Sequence, residues 1–257
     1  MASRDHRALD EYSLIARVLH TAQNVNSRLE LFGVQLPAPI LPMRKGPEEP
    51  RSRLGLVPAE RLATPEGQAA GETIPLIAND KMGSLVAAVK EYSGRGHPAL
   101  ALDLRPLAAV APFGEEEWRP RTREELAELR AVADSPLILY GIVGGQDAEV
   151  AMEAGVEGIV VSSDLGRFLG GPAAIEVLPE ILDQVAGMTT VLVSGNARDG
   201  IDVFRYLAVG ADAVIVDGDR TVSSFEEELR YAMRLTGSET LADIGYESIF
   251  APLFDES

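Results

Sequence analysis

The 257-residue chain has no cysteine. That absence excludes disulfides, thiolate zinc sites, iron–sulfur clusters and a cysteine nucleophile. Histidine is nearly as scarce. His6, His20 and His97 are the only three, and none stands at metal-ligand spacing from another histidine or a carboxylate pair, so no metal is expected. Aromatic residues make up 5% of the chain, and Trp118 is the one tryptophan, read as a packing anchor before a helix, with a partner contact as the alternative. No apolar run approaches the roughly 20 residues that span a bilayer. Met1 to Asp10 carries charge on both sides of Ala8-Leu9, without the apolar stretch of a signal peptide. Positive charge is the remaining deficit: 23 Lys and Arg face 40 Asp and Glu, a formal net charge of −17. So acidic a surface repels phosphate backbones and anionic lipid, which argues against nucleic-acid and membrane partners. The expectation is a soluble, cytoplasmic protein.

Apolar residues at 46% and charged residues at 25% are ordinary for a globular fold. The length fits one barrel domain over residues 1–257. From Ser135 onward, short β-branched runs alternate with amphipathic stretches. Pro136 to Tyr140, Gly158 to Ser162, Thr189 to Ser194 and Ala213 to Asp217 read as strands. Asp147 to Ala154, Ala173 to Val185 and Gly200 to Val209 read as the helices between them. The strands are apolar on both faces, as strands covered on both sides must be. Repetition with no sheet-edge signal predicts an α/β fold of (β/α)8 TIM-barrel type. Thr122 with Glu125, and Ser224 with Glu227, fit the capping box at helix starts.

The first half is less regular. Pro37 to Leu41, Ile74 to Ala78 and Ala99 to Leu104 read as three further strands, giving seven and a barrel shortened by one βα unit. The missing unit is placed between Gly94 and Trp118. A Pro-, Gly- and charge-rich loop over about 43–72 is read as a lid or as disordered decoration.

Two phrases, IEVLPEI and LAVGADAV, lie within the stretch from Pro136 to Gly218, and SRLELFGVQLPAPIL precedes the first strand. In residues and spacing they resemble the FMN-dependent α-hydroxy-acid oxidases and dehydrogenases, the glycolate oxidase and L-lactate dehydrogenase group. The resemblance implies a site at the C-terminal mouth of the barrel. It implies a histidine base, arginines for the substrate carboxylate, a lysine beside the flavin, and a glycine- and arginine-rich cradle for the FMN phosphate.

Position by position, the resemblance puts other residues at several of these places. Tyr140 stands where the family has its lysine, and Asp164 where it has the histidine. Leu165 replaces a glycine, and Arg167 matches a retained arginine. The phosphate motif falls on Ser194 to Gly200, keeping Gly195, Arg198 and Gly200, and a later Gly-Arg pair falls on Asp217-Gly218, with Arg220 nearby. If Ala99 to Leu104 is the fourth strand, Asp103 matches the acid that orients the histidine.

Each residue has two readings. Arg167 either holds a carboxylate by a two-point contact or makes a surface ion pair. Asp164 is a general acid or base, or a solvated loop acid. Tyr140 donates a hydrogen bond to a ligand or fills the pocket. Arg198 at a helix start binds an anion or keeps an inherited turn. Three functions follow. The first is a small-molecule carboxylate enzyme that has lost the catalytic histidine and flavin-site lysine and uses non-redox acid–base chemistry. The second is an FMN-binding oxidoreductase with an altered site. The third is a non-catalytic binding subunit, with a homo-oligomer or protein partner covering an open barrel flank.

Overall fold

In the computed structural model, residues 3–44, 54–62, 72–105, 120–164, 170–218 and 220–251 are described. Side chains alternate in direction along a strand, so a strand apolar at every position must meet a core on each side. Two cores are present. Leu41, Leu56, Ile74, Leu76, Ala101, Ile138, Val160, Leu192 and Ile215 form the inner one. Their neighbours in sequence, including Ile40, Val57, Ile77, Leu102, Leu139, Val161, Val193 and Val214, join the helices in the outer one.

The strands that carry this alternation are β1 (Ile40–Pro42), β2 (Gly55–Pro58), β3 (Thr73–Ala78), β4 (Leu100–Asp103), β5 (Leu137–Ile142), β6 (Gly158–Ser162), β7 (Thr190–Ser194) and β8 (Ala213–Val216). They form one eight-stranded sheet, parallel throughout, with β8 paired to β1 by Val214↔Ile40, Ile215↔Leu41 and Val216↔Pro42. The circle closes between β1 and β2 through the bridge Met43↔Leu56. This is a TIM barrel with all eight strands.

The count corrects the expected shortening. The uncounted strand is Gly55–Pro58, inside the stretch read as a loop, and no βα unit is missing between Gly94 and Trp118. Four residues bounded by proline carry too little pattern to register as a strand. Trp118 and most of the rest of the 43–72 stretch lie outside the described residues.

Among the described residues, seven α-helices accompany the strands: α1 (Arg4–Asp10), α2 (Met82–Ser93), α3 (Arg123–Val132), α4 (Gly145–Glu153), α5 (Ala174–Val185), α6 (Gly200–Val209) and α7 (Val222–Thr236). The capping box at Thr122 and Glu125 is present. The other expected box is not the start of α7. Thr221 is the N-cap and accepts from the Ser224 amide, so Ser224 lies inside the first turn.

A hairpin, Leu29–Leu31 with Val34–Leu36, turns through Phe32 (φ 48°) and Gly33 (φ 76°), the paired positive angles of a type I′ turn. Leu31 and Leu36 belong to the inner core, and a Cβ on Gly158 would lie 3.3 Å from the Phe32 ring. The hairpin therefore stoppers the N-terminal end of the barrel, leaving the opposite end as the open one.

Candidate active site at the barrel mouth

Strand parity selects which residues face the mouth. Continuing the inward series by two residues brings Met43 after Leu41, Asp103 after Ala101, Tyr140 after Ile138, Ser194 after Leu192 and Asp217 after Ile215. A cleft of about 430 Å³ lies there, lined among others by Met43, Arg105, Tyr140, Asp164, Ser194 and Asp217. That volume suits a small molecule.

The cleft is organised around Arg105, which the sequence reading missed. Its backbone amide and Nε both donate to Asp103 Oδ1 at 2.9 Å, and its Nη2 donates to Oδ2 at 2.8 Å. Nη1 reaches Asp164 Oδ2 at 3.5 Å. The guanidinium lies 3.7 Å from the centroid of the Tyr140 ring, a stacked cation–π contact. Burial disfavours the Arg105 charge, but the Asp103 bonds and neighbouring anions outweigh it and raise the pKa above its ordinary value. Asp103 lies on the fourth strand, the place where the resemblance puts the orienting acid, and here its carboxylate holds a guanidinium.

Local backbone makes room for this arrangement. Tyr140 pairs with Val160 and Ile142 with Val161, so Gly141 is an extra residue in β5, a bulge with φ 113°. A Cβ on Gly141 would press on Arg105 Cγ at 3.2 Å and on its amide nitrogen at 3.4 Å. The Tyr140 hydroxyl donates to Ser194 Oγ at 2.5 Å, and burial pushes the phenol pKa up, which keeps it a donor.

The other wall of the cleft is the corner between β7 and α6. Asn196 stands in the left-handed region (φ 56°), where asparagine is tolerated better than most residues. Its side chain donates to buried Asp5 at 2.7 Å, and its carbonyl accepts from His6 Nε2 at 3.1 Å. Ser163 also donates to Asp5, at 2.8 Å, which fastens α1 across this side of the mouth.

Arg198 donates to Asp202 through Nε (2.7 Å) and Nη2 (2.9 Å), and to Asp10 through Nη2 (2.6 Å) and Nη1 (3.2 Å). Arg220 is bonded to Glu228 and donates to the Arg198 carbonyl at 2.8 Å. Three backbone donors are engaged as well. Gly200 donates to Glu228 at 2.8 Å, the Arg198 amide to Asp202 at 2.9 Å, and Gly218 to Asp217 at 2.7 Å. Asp199 accepts the amides of Ile201 and Asp202. Burial raises the Asp202 carboxyl and the Arg198 and Arg205 bonds overcome it, so it ends below its ordinary value.

The glycines separate by role. A Cβ on Gly195 would lie 1.9 Å from the Tyr206 hydroxyl oxygen, and one on Gly200 would lie 2.3 Å from backbone atoms of α7, so packing alone demands both. Gly218, with φ 112° and open space around it, lines the cleft. Structure thus brings Asp103, Tyr140, Asp164, Arg198, Gly218 and Arg220 to one end of the barrel. Arg167 lies outside the described residues. Among the described residues no trio of His, Asp or Glu is placed to hold a metal, and no helix is long and apolar enough to cross a membrane.

A parallel eight-stranded barrel with its polar cluster at the C-terminal mouth defines a TIM-barrel protein of the kind that carries small-molecule sites. A sequence profile of FMN-dependent dehydrogenases matches residues 87–251. The chain belongs to that family. It is 40% identical over 150 residues to a 4-hydroxymandelate oxidase of Amycolatopsis orientalis, covering 52% of this chain and 42% of the relative. An L-lactate dehydrogenase of Chromohalobacter salexigens is 36% identical over 141 residues, 49% of this chain and 36% of the relative. The chain therefore spans less than half the length of these curated relatives. Among solved structures, a mandelate oxidase mutant with a C4a-OH-FMN adduct superposes with a TM-score of 0.79 at 25% identity, over 98% of this chain and 90% of that one.

Proposed function

We propose that the mouth binds a small carboxylate on Arg105 and acts on it by acid–base rather than redox chemistry, with Asp164 as the proton-carrying group. The observation that carries this reading is the guanidinium fixed over Tyr140 by a two-point contact with Asp103. A planar cation held in that way is a preorganised carboxylate anchor. Its bond to Asp164 is its longest, at 3.5 Å, and both residues line the cleft, so a ligand oxygen can take that edge. Tyr140 contributes the closed, hydrogen-bonded floor. On the resemblance alone, Arg167 is assigned to the same carboxylate.

The residues present do not fit FMN in the family's mode. The resemblance puts the phosphate at Ser194–Gly200 and Asp217–Gly218, where the Arg198, Gly200 and Gly218 amides and both arginines are held by this chain's own carboxylates. No flavin step is therefore derived. A second reading retains flavin chemistry, with Arg105 standing for the lysine because its guanidinium covers the residue at that position. The open-flank premise of a non-catalytic subunit is weakened by the Met43↔Leu56 closure.

The test is a pair of measurements on purified protein. The visible spectrum before and after incubation with FMN should show no bound flavin. In a thermal-shift screen, small 2-hydroxy and 2-oxo carboxylates should stabilise the wild type and not Arg105→Gln. A flavin retained through desalting would favour the second reading. Equal stabilisation of both proteins would remove Arg105 as the anchor.

A further inference from the structure

The corner between β7 and α6 has the backbone of an anion site: a loop leading into a ten-residue helix, with Arg198 and Arg220 beside it. We propose that Asp10 and Glu228 are specificity-determining residues that close this corner to phosphorylated ligands.

The two acids come from outside the segment they block. Asp10 is the last residue of α1, and Glu228 lies in α7. Asp10 takes both terminal nitrogens of Arg198. Glu228 takes the Gly200 amide with one oxygen and Arg220 with the other. Between them they intercept two guanidinium groups and a first-turn amide of α6, three donors that would otherwise face a phosphate. Asp199, Asp202 and Asp217 add three more carboxylates at the same corner. An incoming dianion would have to displace Asp10 and Glu228 and then sit among like charges, where the electrostatics oppose it.

The five acids are not equivalent. The Asp202 side chain is fully buried, and it clamps Arg198 and Arg205 as part of the framework. Asp10 and Glu228 keep 57% and 36% of their side-chain surface exposed, so their charges can be removed without opening the core. The Arg198 bonds hold the Asp10 carboxyl below its ordinary pKa, so its charge is reinforced by the guanidinium it blocks. Exclusion of phosphate from this corner is independent of the role given to Arg105, which lies across the cleft.

The experiment compares wild type with D10N/E228Q, titrated with inorganic phosphate by calorimetry and with FMN by quenching of flavin fluorescence. Relieving two negative charges at a helix start should tighten binding of both probes by about tenfold. Adding R198A to the double variant should remove the gain, while R105Q should leave it in place. The single variants D10N and E228Q, each losing one exposed charge, should gain about threefold and carry the test if the double variant melts early. Wild-type binding as tight as the variant's overturns the proposal. So does a folded variant that gains nothing.

Discussion

Gly200 is the position where a ligand role and a packing role make opposite predictions. The glycine opens α6 against α7, and an added Cβ would lie 2.3 Å from the Leu229 nitrogen, 2.3 Å from the Phe225 oxygen and 2.6 Å from Glu228 Cβ. Two of these obstacles are backbone on the packed face of α7, so no side-chain rotation relieves them. The helices must part by roughly 1 Å to restore normal contact. Overpacking of this kind costs about 1–3 kcal/mol, and rigid obstacles put Gly200→Ala at the upper end. For a chain of this size that is a fall in melting temperature of about 6–12 °C. Thermal unfolding followed by far-ultraviolet circular dichroism, without any added ligand, measures it. Gly218→Ala is the control: its φ of 112° is strained for alanine but nothing lies within 4 Å, so its cost should be about 1–2 kcal/mol. A Gly200→Ala protein that melts within about 2 °C of wild type would refute the packing argument and return the glycine to a ligand.

Two further perturbations probe the site's supports. Tyr140→Phe removes the 2.5 Å bond to Ser194 from a buried ring and should cost about 1–2 kcal/mol in urea unfolding, with no effect at all counting against a structural role for that bond. Asp202→Asn strips charge from a carboxylate that accepts from Arg198 and Arg205, and should cost about 3 kcal/mol at neutral pH. Because the folded Asp202 pKa lies below 3.8, its contribution is complete above about pH 4 and is lost as pH falls through the folded value. Stability of the variant should accordingly fall less steeply than wild type below pH 4, and superimposable acid limbs would contradict the assignment.

The second half of the barrel was legible because its elements are regular. Gly158–Ser162 and Gly200–Val209 fall at the residues the sequence pattern marks, and other boundaries differ by a few residues. β2 was illegible because Gly55–Pro58 is four residues long, lacks a β-branched run and is set in charged, proline-rich sequence. At the mouth, positions shared with the family could be read one by one, which located Asp103, Tyr140, Asp164 and Arg198. Arg105 could not be found that way, since no expected role falls on it. The signal was chemical: the resemblance leaves Asp103 without its expected histidine, and an acid at a largely buried strand end needs a partner. The cationic residue two places on supplies it. Asp10 and Glu228 were invisible for another reason, because they reach the corner from α1 and α7, 188 and 28 residues away from the groups they bind.

The barrel's staves are not equally fastened. β8 and β1 share three register pairs, whereas β1 and β2 are joined, among the described residues, at Met43 and Leu56. Met43 belongs both to that seam and to the lining of the cleft. A change of side chain at Met43 would therefore be felt by the barrel seam and by the cleft at once, whereas the wall bearing Tyr140 and Ser194 stands apart from that join.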